Sequence, residues 1–144
     1  MKKAFLILLL SPIFFVCKKD ECKNHDKGII SEVITPGCIL QLPKTGVVIH
    51  NDSIYSSLFD PKDSTTCNLP NIDFKQNTLL GMFASASGSN ASFQFQVLRD
   101  DPNKKYVYTI FSCDKGMDKI LAISNNLVVV PKLPDGYQVD FIEK

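Results

Sequence analysis

The chain has 144 residues, of which 16 are basic and 15 acidic, and its hydrophobic content is 44%. This length suits a single domain. The balanced charge excludes the basic surface that would hold a nucleic-acid backbone, and the single long apolar run, at the start of the chain, excludes a polytopic membrane protein.

The first 16 residues have the features of a secretory signal peptide. Lys2 and Lys3 supply the positive start, and an apolar run follows from Ala4 to Val16. At about 1.5 Å per residue, this run is too short to cross a bilayer of about 30 Å. We therefore expect residues 1–16 to be removed on export.

The apolar run ends at Cys17, and a charged stretch, Lys18 to Glu21, begins directly after it. This junction resembles the signal of bacterial lipoproteins, in which the cysteine is acylated after cleavage, and it is similar to the relaxed form found in the Bacteroidetes. The resemblance implies a lipid on Cys17 and a place in the cell envelope, at the outer membrane. The alternative is an ordinary secretory signal in which Cys17 is incidental.

Four further cysteines, Cys22, Cys38, Cys67 and Cys113, follow Cys17. An even number of cysteines in an exported domain predicts disulfide bonds. Three connectivities are open, and we favour Cys22 with Cys38 and Cys67 with Cys113. We expect no metal and no cofactor, because the chain has no CxxC pair and neither histidine lies at a ligand-like spacing from the cysteines.

Residues 17–27 read as an acylated cysteine followed by a charged tether, since residues 18–27 contain no aliphatic side chain. The domain itself is predicted to span residues 28–144. Short apolar or alternating stretches, separated by turn residues, predict strands there. They cover residues 29–34, 38–42, 47–49, 78–84, 91–98, 106–111, 120–124, 127–130 and 137–141.

One segment has helical rather than alternating spacing. Asn51 or Asp52 can cap a helix, which then presents Ile54, Tyr55, Leu58 and Phe59 on one face and ends before Pro61. Arg99 to Lys105 is predicted to turn a hairpin. The fold class is therefore mainly β within α+β, an antiparallel β-sandwich or barrel-like domain with one short helix.

The order of several short elements resembles a known family over residues 46–143. The elements are the helix, Asn71–Phe74, Thr78–Gly81, a small-residue loop before a strand at 93–98, and Val130–Lys132. The family is that of the protease complex subunit PrcB and its Bacteroidetes lipoprotein relatives. The resemblance implies a non-catalytic accessory lipoprotein with a protein partner, such as an envelope protease. This chain departs from the family at the small-residue loop, where the family carries a threonine with paired glycines.

That loop is the candidate partner-binding segment. Its residues carry little apolar area for a core and are costly to order, so the loop is either slack or held for an external partner, and we favour the second alternative. The candidate residues are Ser85, Ser87, Gly88, Ser89 and Asn90.

Two alternative functions remain open at the sequence level. Tyr106, Tyr108 and Tyr137 could bind a small molecule or a glycan on a sheet face if their rings are exposed. Cys67 and His50 could form a nucleophile and its base, although a cysteine in an exported domain is more often half of a disulfide. We favour a binding or accessory module without catalytic activity.

Overall fold

The computed structural model describes residues 23–38, 40–58, 70–114, 116 and 119–144. Within these residues lie nine strands and the short helix α1 (Asp52–Ser57). The predicted mainly β fold with one helix is confirmed. The strands are β1 (Glu32–Ile34), β2 (Val47–Ile49), β3 (Asn77–Gly81), β4 (Ala84–Ser87), β5 (Ser92–Asp100), β6 (Lys105–Cys113), β7 (Leu121–Ser124), β8 (Leu127–Pro131) and β9 (Gln138–Glu143).

The centre of the fold is an antiparallel four-stranded sheet in the order β1-β8-β3-β2. Strand β8 is apolar at four consecutive positions and all four are buried. Leu127 and Val129 pack into one cluster of the core, and Val128 and Val130 pack into another. Because both faces of the sheet are covered, this strand shows a continuous apolar run rather than alternation.

One face of the sheet is covered by α1 and by the chain before β2. As predicted, Asn51 caps the helix, and its Oδ1 accepts a hydrogen bond from Ile54 N at 2.9 Å. The strand predicted over residues 38–42 is wrong for the residues described there. Leu40 and Leu42 are buried under the helix without joining a sheet, because Gln41 N donates to Leu58 O at the helix end instead.

The other face packs on a three-stranded sheet in the order β5-β6-β9. The predicted hairpin is present, with β5 and β6 paired from Asp100 and Lys105 to Ser92 and Cys113. Strand β9 runs parallel to β6. This differs from the expected antiparallel order. After β6 the chain passes through β7 and β8, which belong to other sheets, and β9 then begins at the end of the sheet where β6 begins.

The chain joins the domain earlier than residue 28, where the sequence places its start. Lys27 O accepts from Val97 N at 3.1 Å, and the His25 ring stacks on Phe111 with 3.5 Å between ring centroids. Gly28 has a φ of 64°, and a side chain there would collide with the Val97 carbonyl oxygen.

In the described part of the chain, no helix is long and apolar enough to cross a membrane.

Candidate functional site

The antiparallel pair β3 and β8 continues beyond its sheet as a second pair, β4 and β7. Gly81 is opposite Leu127 in the first pair, and Ala84 is opposite Ser124 in the second. Only residues 82–83 on one chain segment and 125–126 on the other separate the two pairs. We call the β4–β7 pair the ribbon.

The two faces of the ribbon differ sharply. The inner face carries small side chains, of which Ala84, Ala86 and Ser124 are buried. The outer face carries Leu121 and Ile123, which are 64% and 45% exposed. Ile120, just before β7, is 57% exposed. Four large hydrophobic residues are exposed in the described part of the chain, and these are three of them. Clustering of this kind marks a contact surface.

The predicted small-residue loop forms part of this ribbon. Ser85 and Ser87 lie in β4 opposite Ile123 and Leu121, so they belong to a strand and not to a loop. Their small side chains alternate with buried alanines, which lets β4 pair and pack closely. Gly88, Ser89 and Asn90 do form a turn, in which Gly88 has a φ of 108° and donates to Ile120 O at 2.8 Å.

The two edges of the ribbon are also unequal. Along β4, Ser85 N donates to Glu143 Oε1 at 3.3 Å and Ser87 N donates to Asp114 Oδ1 at 2.7 Å. These carboxylates occupy the outer edge of β4. The alternation of an antiparallel ladder then directs the N–H and C=O groups of the residues opposite, Leu121 and Ile123, away from β4.

The three tyrosines do not form a binding face. Tyr106 and Tyr108 are 0% exposed and lie between the two larger sheets. Their hydroxyl groups have no hydrogen-bond partner, and burial raises the pKa of both phenols. Tyr137 packs edge-on against Tyr106. Binding of a small molecule by these rings loses its support, because two of the rings are buried in the core and the third packs against it.

Tyr137 also belongs to a surface cluster at the β5–β6 turn. Its hydroxyl donates to Asp101 Oδ1, which also accepts from Arg99 Nε at 2.6 Å. The hydrogen bond from Tyr137, and to a smaller extent that from Arg99, holds the pKa of Asp101 below its usual value. The cluster fixes the start of β9 to the turn, which is a structural role.

The cysteine predictions divide between described and undescribed residues. Cys38 and Cys113 are both disulfide-bonded. Cys17, Cys22 and Cys67 lie outside the described residues, so the favoured pairing stays a prediction. His50 is exposed directly after β2, and its proposed partner Cys67 is among the undescribed residues. Where the chain is described, no group of three or more potential ligand residues could hold a metal.

A cleft of about 330 Å³ lies beside the open part of the β5 edge. It combines apolar with polar and basic side chains, and its volume falls within the usual range for small ligands. The residues lining it are Asn24, His25, Lys27, Val33, Phe93, Gln94 and Phe95. The sequence reading assigned its first three residues to the tether and therefore missed it.

The exposed residues of β7 were also missed as part of a site. The pattern over residues 120–124 predicted a strand, but a short strand does not reveal which neighbours cover it. With Ser85 and Ser87, these side chains form a surface suited to contact with another polypeptide. Comparison with protein-family models, curated proteins and solved structures finds nothing that matches this chain.

Proposed function

We propose that the protein is a non-catalytic lipoprotein of the bacterial envelope that acts as a binding or accessory module for a protein partner. The observation that carries this proposal is the outer face of the ribbon. Leu121 and Ile123 remain exposed there, beside Ser85 and Ser87, whereas the other described strands leave one large apolar side chain exposed, Leu98 of β5. Exposed apolar area without a structural role is best explained by a partner that covers it.

The proposed anchor is a lipid on Cys17, after removal of residues 1–16. Support comes from the change at Cys17 from an apolar to a charged sequence. The position of His25, near the start of the described chain, also supports this proposal, because it lies near the ribbon. His25 stacks on Phe111, two residues before Cys113, and the adjoining Asp114 accepts the hydrogen bond from Ser87. An anchor at this end keeps the ribbon close to the outer membrane.

The proposed partner class is an envelope protein, with a protease complex as the first choice. This choice follows from the resemblance to the PrcB family over residues 46–143. The contact surface proposed here includes the same small-residue segment, Ser85 to Asn90, and adds the two apolar residues of β7.

Small-molecule binding is a second candidate function, now favoured by the cleft rather than by the tyrosines. Lys27 and His25 could bind an anionic group, and Phe93 and Phe95 could contact an apolar body. The ribbon remains the stronger candidate, because its exposed residues are apolar whereas the lining of the cleft is mixed.

One experiment in the native envelope tests the proposal in two parts. Metabolic labelling with a fatty-acid analogue should mark the wild-type protein and should fail on Cys17→Ala. Purification of the anchored protein should recover the same partner from wild type and from Leu98→Ser, an exposed control on β5. Ser87→Lys and Leu121→Ser should lose that partner while keeping their melting temperature.

The outcomes separate the two parts of the proposal. Label retained on Cys17→Ala would contradict the anchor. A partner that binds all three ribbon and control variants equally would contradict the contact surface. Turnover of any envelope substrate that is lost on changing His50 or Cys67 would contradict the non-catalytic assignment.

A further inference from the structure

We infer that the outer edge of β7 pairs with an extended strand of the partner, so that the partner becomes the third strand of the ribbon. This inference rests on the proposed function, because it states how the partner is held at the same surface. The strand that fits has apolar side chains at alternate positions, which would lie beside Leu121 and Ile123. Recognition by strand addition combines backbone hydrogen bonds with side-chain contacts on one face.

The backbone geometry of β7 favours a polypeptide over a lipid surface. Ala86 pairs with Ala122 and Ala84 with Ser124 through the ribbon's own hydrogen bonds, continuing the bond from Gly88 N to Ile120 O. Leu121 and Ile123 therefore direct their N–H and C=O groups outward. A membrane could cover the two side chains, but hydrocarbon supplies no partner for backbone polar groups.

The opposite edge of the ribbon is closed to such pairing. The outward N–H groups of Ser85 and Ser87 already donate to the carboxylates of Glu143 and Asp114. Proteins commonly protect exposed strand edges with charged side chains of this kind. Among the described residues, β7 pairs only with β4 and carries apolar instead of charged side chains on its exposed face. A strand would add at β7.

A second copy of this chain is a poorer occupant of the same edge. Self-pairing would use one four-residue strand from each copy. A stable protein interface normally involves about 20–30 residues on each side. The β7 edge alone is therefore too short for a stable dimer, whereas a longer partner can make further contacts along the ribbon.

The tether restricts where this partner must be found. Asn24 is seven positions after Cys17, a distance of at most about 25 Å when extended. A lipid on Cys17 would therefore hold the end of the domain where His25 stacks on Phe111, next to the ribbon, close to the membrane. The occupant expected there is an extended segment of an envelope protein that reaches the membrane surface.

The inference can be tested with a defined peptide. The probe is an acetylated and amidated octapeptide in which valine and threonine alternate, ending in lysine for solubility. It is titrated into isotopically labelled mature chain that carries Cys17→Ser to prevent acylation. We expect the amides of Leu121 and Ile123 to shift and to become at least tenfold more protected from hydrogen exchange. The amides of Ala122 and Ser124 should change little, because they already bond to β4.

Two modified peptides provide the matched control without altering the protein. One is methylated on the backbone nitrogen of each valine, and the other on that of each threonine. Only one of these sets of nitrogens can face β7 in a paired strand. We expect one methylated peptide to lose binding and the other to retain it. Equal binding of both would overturn the inference, because contact without backbone pairing is insensitive to methylation.

Protein variants give an independent control. Ile123→Pro removes an outward N–H group and should weaken binding about tenfold more than Ile123→Thr, which keeps that group. Absence of any shift with the unmodified peptide would overturn strand addition. So would shifts at these amides caused by dilution alone, which would indicate self-pairing, or by phosphatidylethanolamine–phosphatidylglycerol vesicles alone, which would indicate the membrane. A different result would contradict the proposed function: the envelope partner would still bind the Ser87→Lys and Leu121→Ser variants.

Discussion

The same two chain segments form one strand pair that is buried and one that is partly exposed. In β3 and β8 every apolar side chain is buried, whichever face it occupies. In β4 and β7, only a few residues further along, the apolar side chains of β7 are mostly exposed. The change occurs across residues 82–83 and 125–126, where the pairing is interrupted.

Neighbouring strand pairs with the same antiparallel topology can therefore have different roles. The β3–β8 pair is covered by a second sheet on one side and by α1 on the other, so its leucines and valines contribute to stability. The β4–β7 pair is buried on one face only, the face that carries Ala84 and Ala86. Its outer face leaves Leu121 and Ile123 exposed.

The largest expected effect comes from comparing the same substitution at two leucines, one in each strand pair. Leu80 of β3 is 0% exposed and Leu121 of β7 is 64% exposed. Leu80→Ala should lower the free energy of unfolding by about 2–5 kcal/mol, because it leaves a cavity between the sheets. Leu121→Ala should change it by no more than about 0.5 kcal/mol. Urea denaturation of both variants measures the difference.

Equal losses in the two leucine variants would break the distinction between the regions. Such a result would mean that the outer face of the ribbon is part of the core in solution. Leu98→Ala, on the exposed face of β5, provides the reference for an ordinary surface leucine.

The disulfide bonds sharpen the comparison, because one bonded cysteine packs against the core beside the four-stranded sheet and the other ends β6 next to the ribbon. Cys38 packs against the core cluster that contains Tyr55 and Leu58. Cys113 ends β6 next to Asp114, at the end where His25 stacks on Phe111. The pairing favoured by the sequence, Cys22 with Cys38 and Cys67 with Cys113, stays a prediction, because Cys22 and Cys67 lie outside the described residues.

Peptide mapping without reduction should identify those two bridges. Loss of either should lower the free energy of unfolding by about 2–4 kcal/mol. Removal of the Cys113 bridge should increase hydrogen exchange in the ribbon more than in α1, and removal of the Cys38 bridge should do the opposite. Recovery of a Cys38–Cys67 peptide would contradict that pairing.

The smallest expected effect concerns a hydroxyl between the sheets. Tyr108 OH is buried without a partner, and burial raises the pKa of this phenol above its unfolded value of about 10. Tyr108→Phe should therefore raise the free energy of unfolding by about 1 kcal/mol at neutral pH. Tyr137→Phe, which removes a surface hydrogen bond, should not stabilise the protein.

The pH dependence of the same variant follows from the direction of the pKa shift. The buried phenol stays neutral in the folded protein, so its contribution to stability is complete below pH 10 and is lost as the pH rises above it. The advantage of Tyr108→Phe over wild type should grow above pH 10, as measured by urea denaturation across that range. A constant difference would indicate that the hydroxyl finds water or another partner in solution.

The sequence by itself determined the local structure wherever a nearby signal was sufficient. Asn51 predicted the helix start because its side chain caps the first turn three residues away. The alternating stretch at residues 91–98 predicted a strand, and Arg99 to Lys105 predicted the hairpin turn that follows it. These features depend on residues close together in the chain, and the structure reproduces them.

Only the tertiary structure decided which of these elements became a site. Whether Tyr106 faces solvent or a second sheet, and whether Ser85 joins a strand, depends on segments more than twenty residues away. The exposure of Leu121 depends on where the four-stranded sheet ends. A strand pattern determines which side chains share a face, but long-range pairing determines which face is covered, and the partner-binding surface proposed here is a face left uncovered.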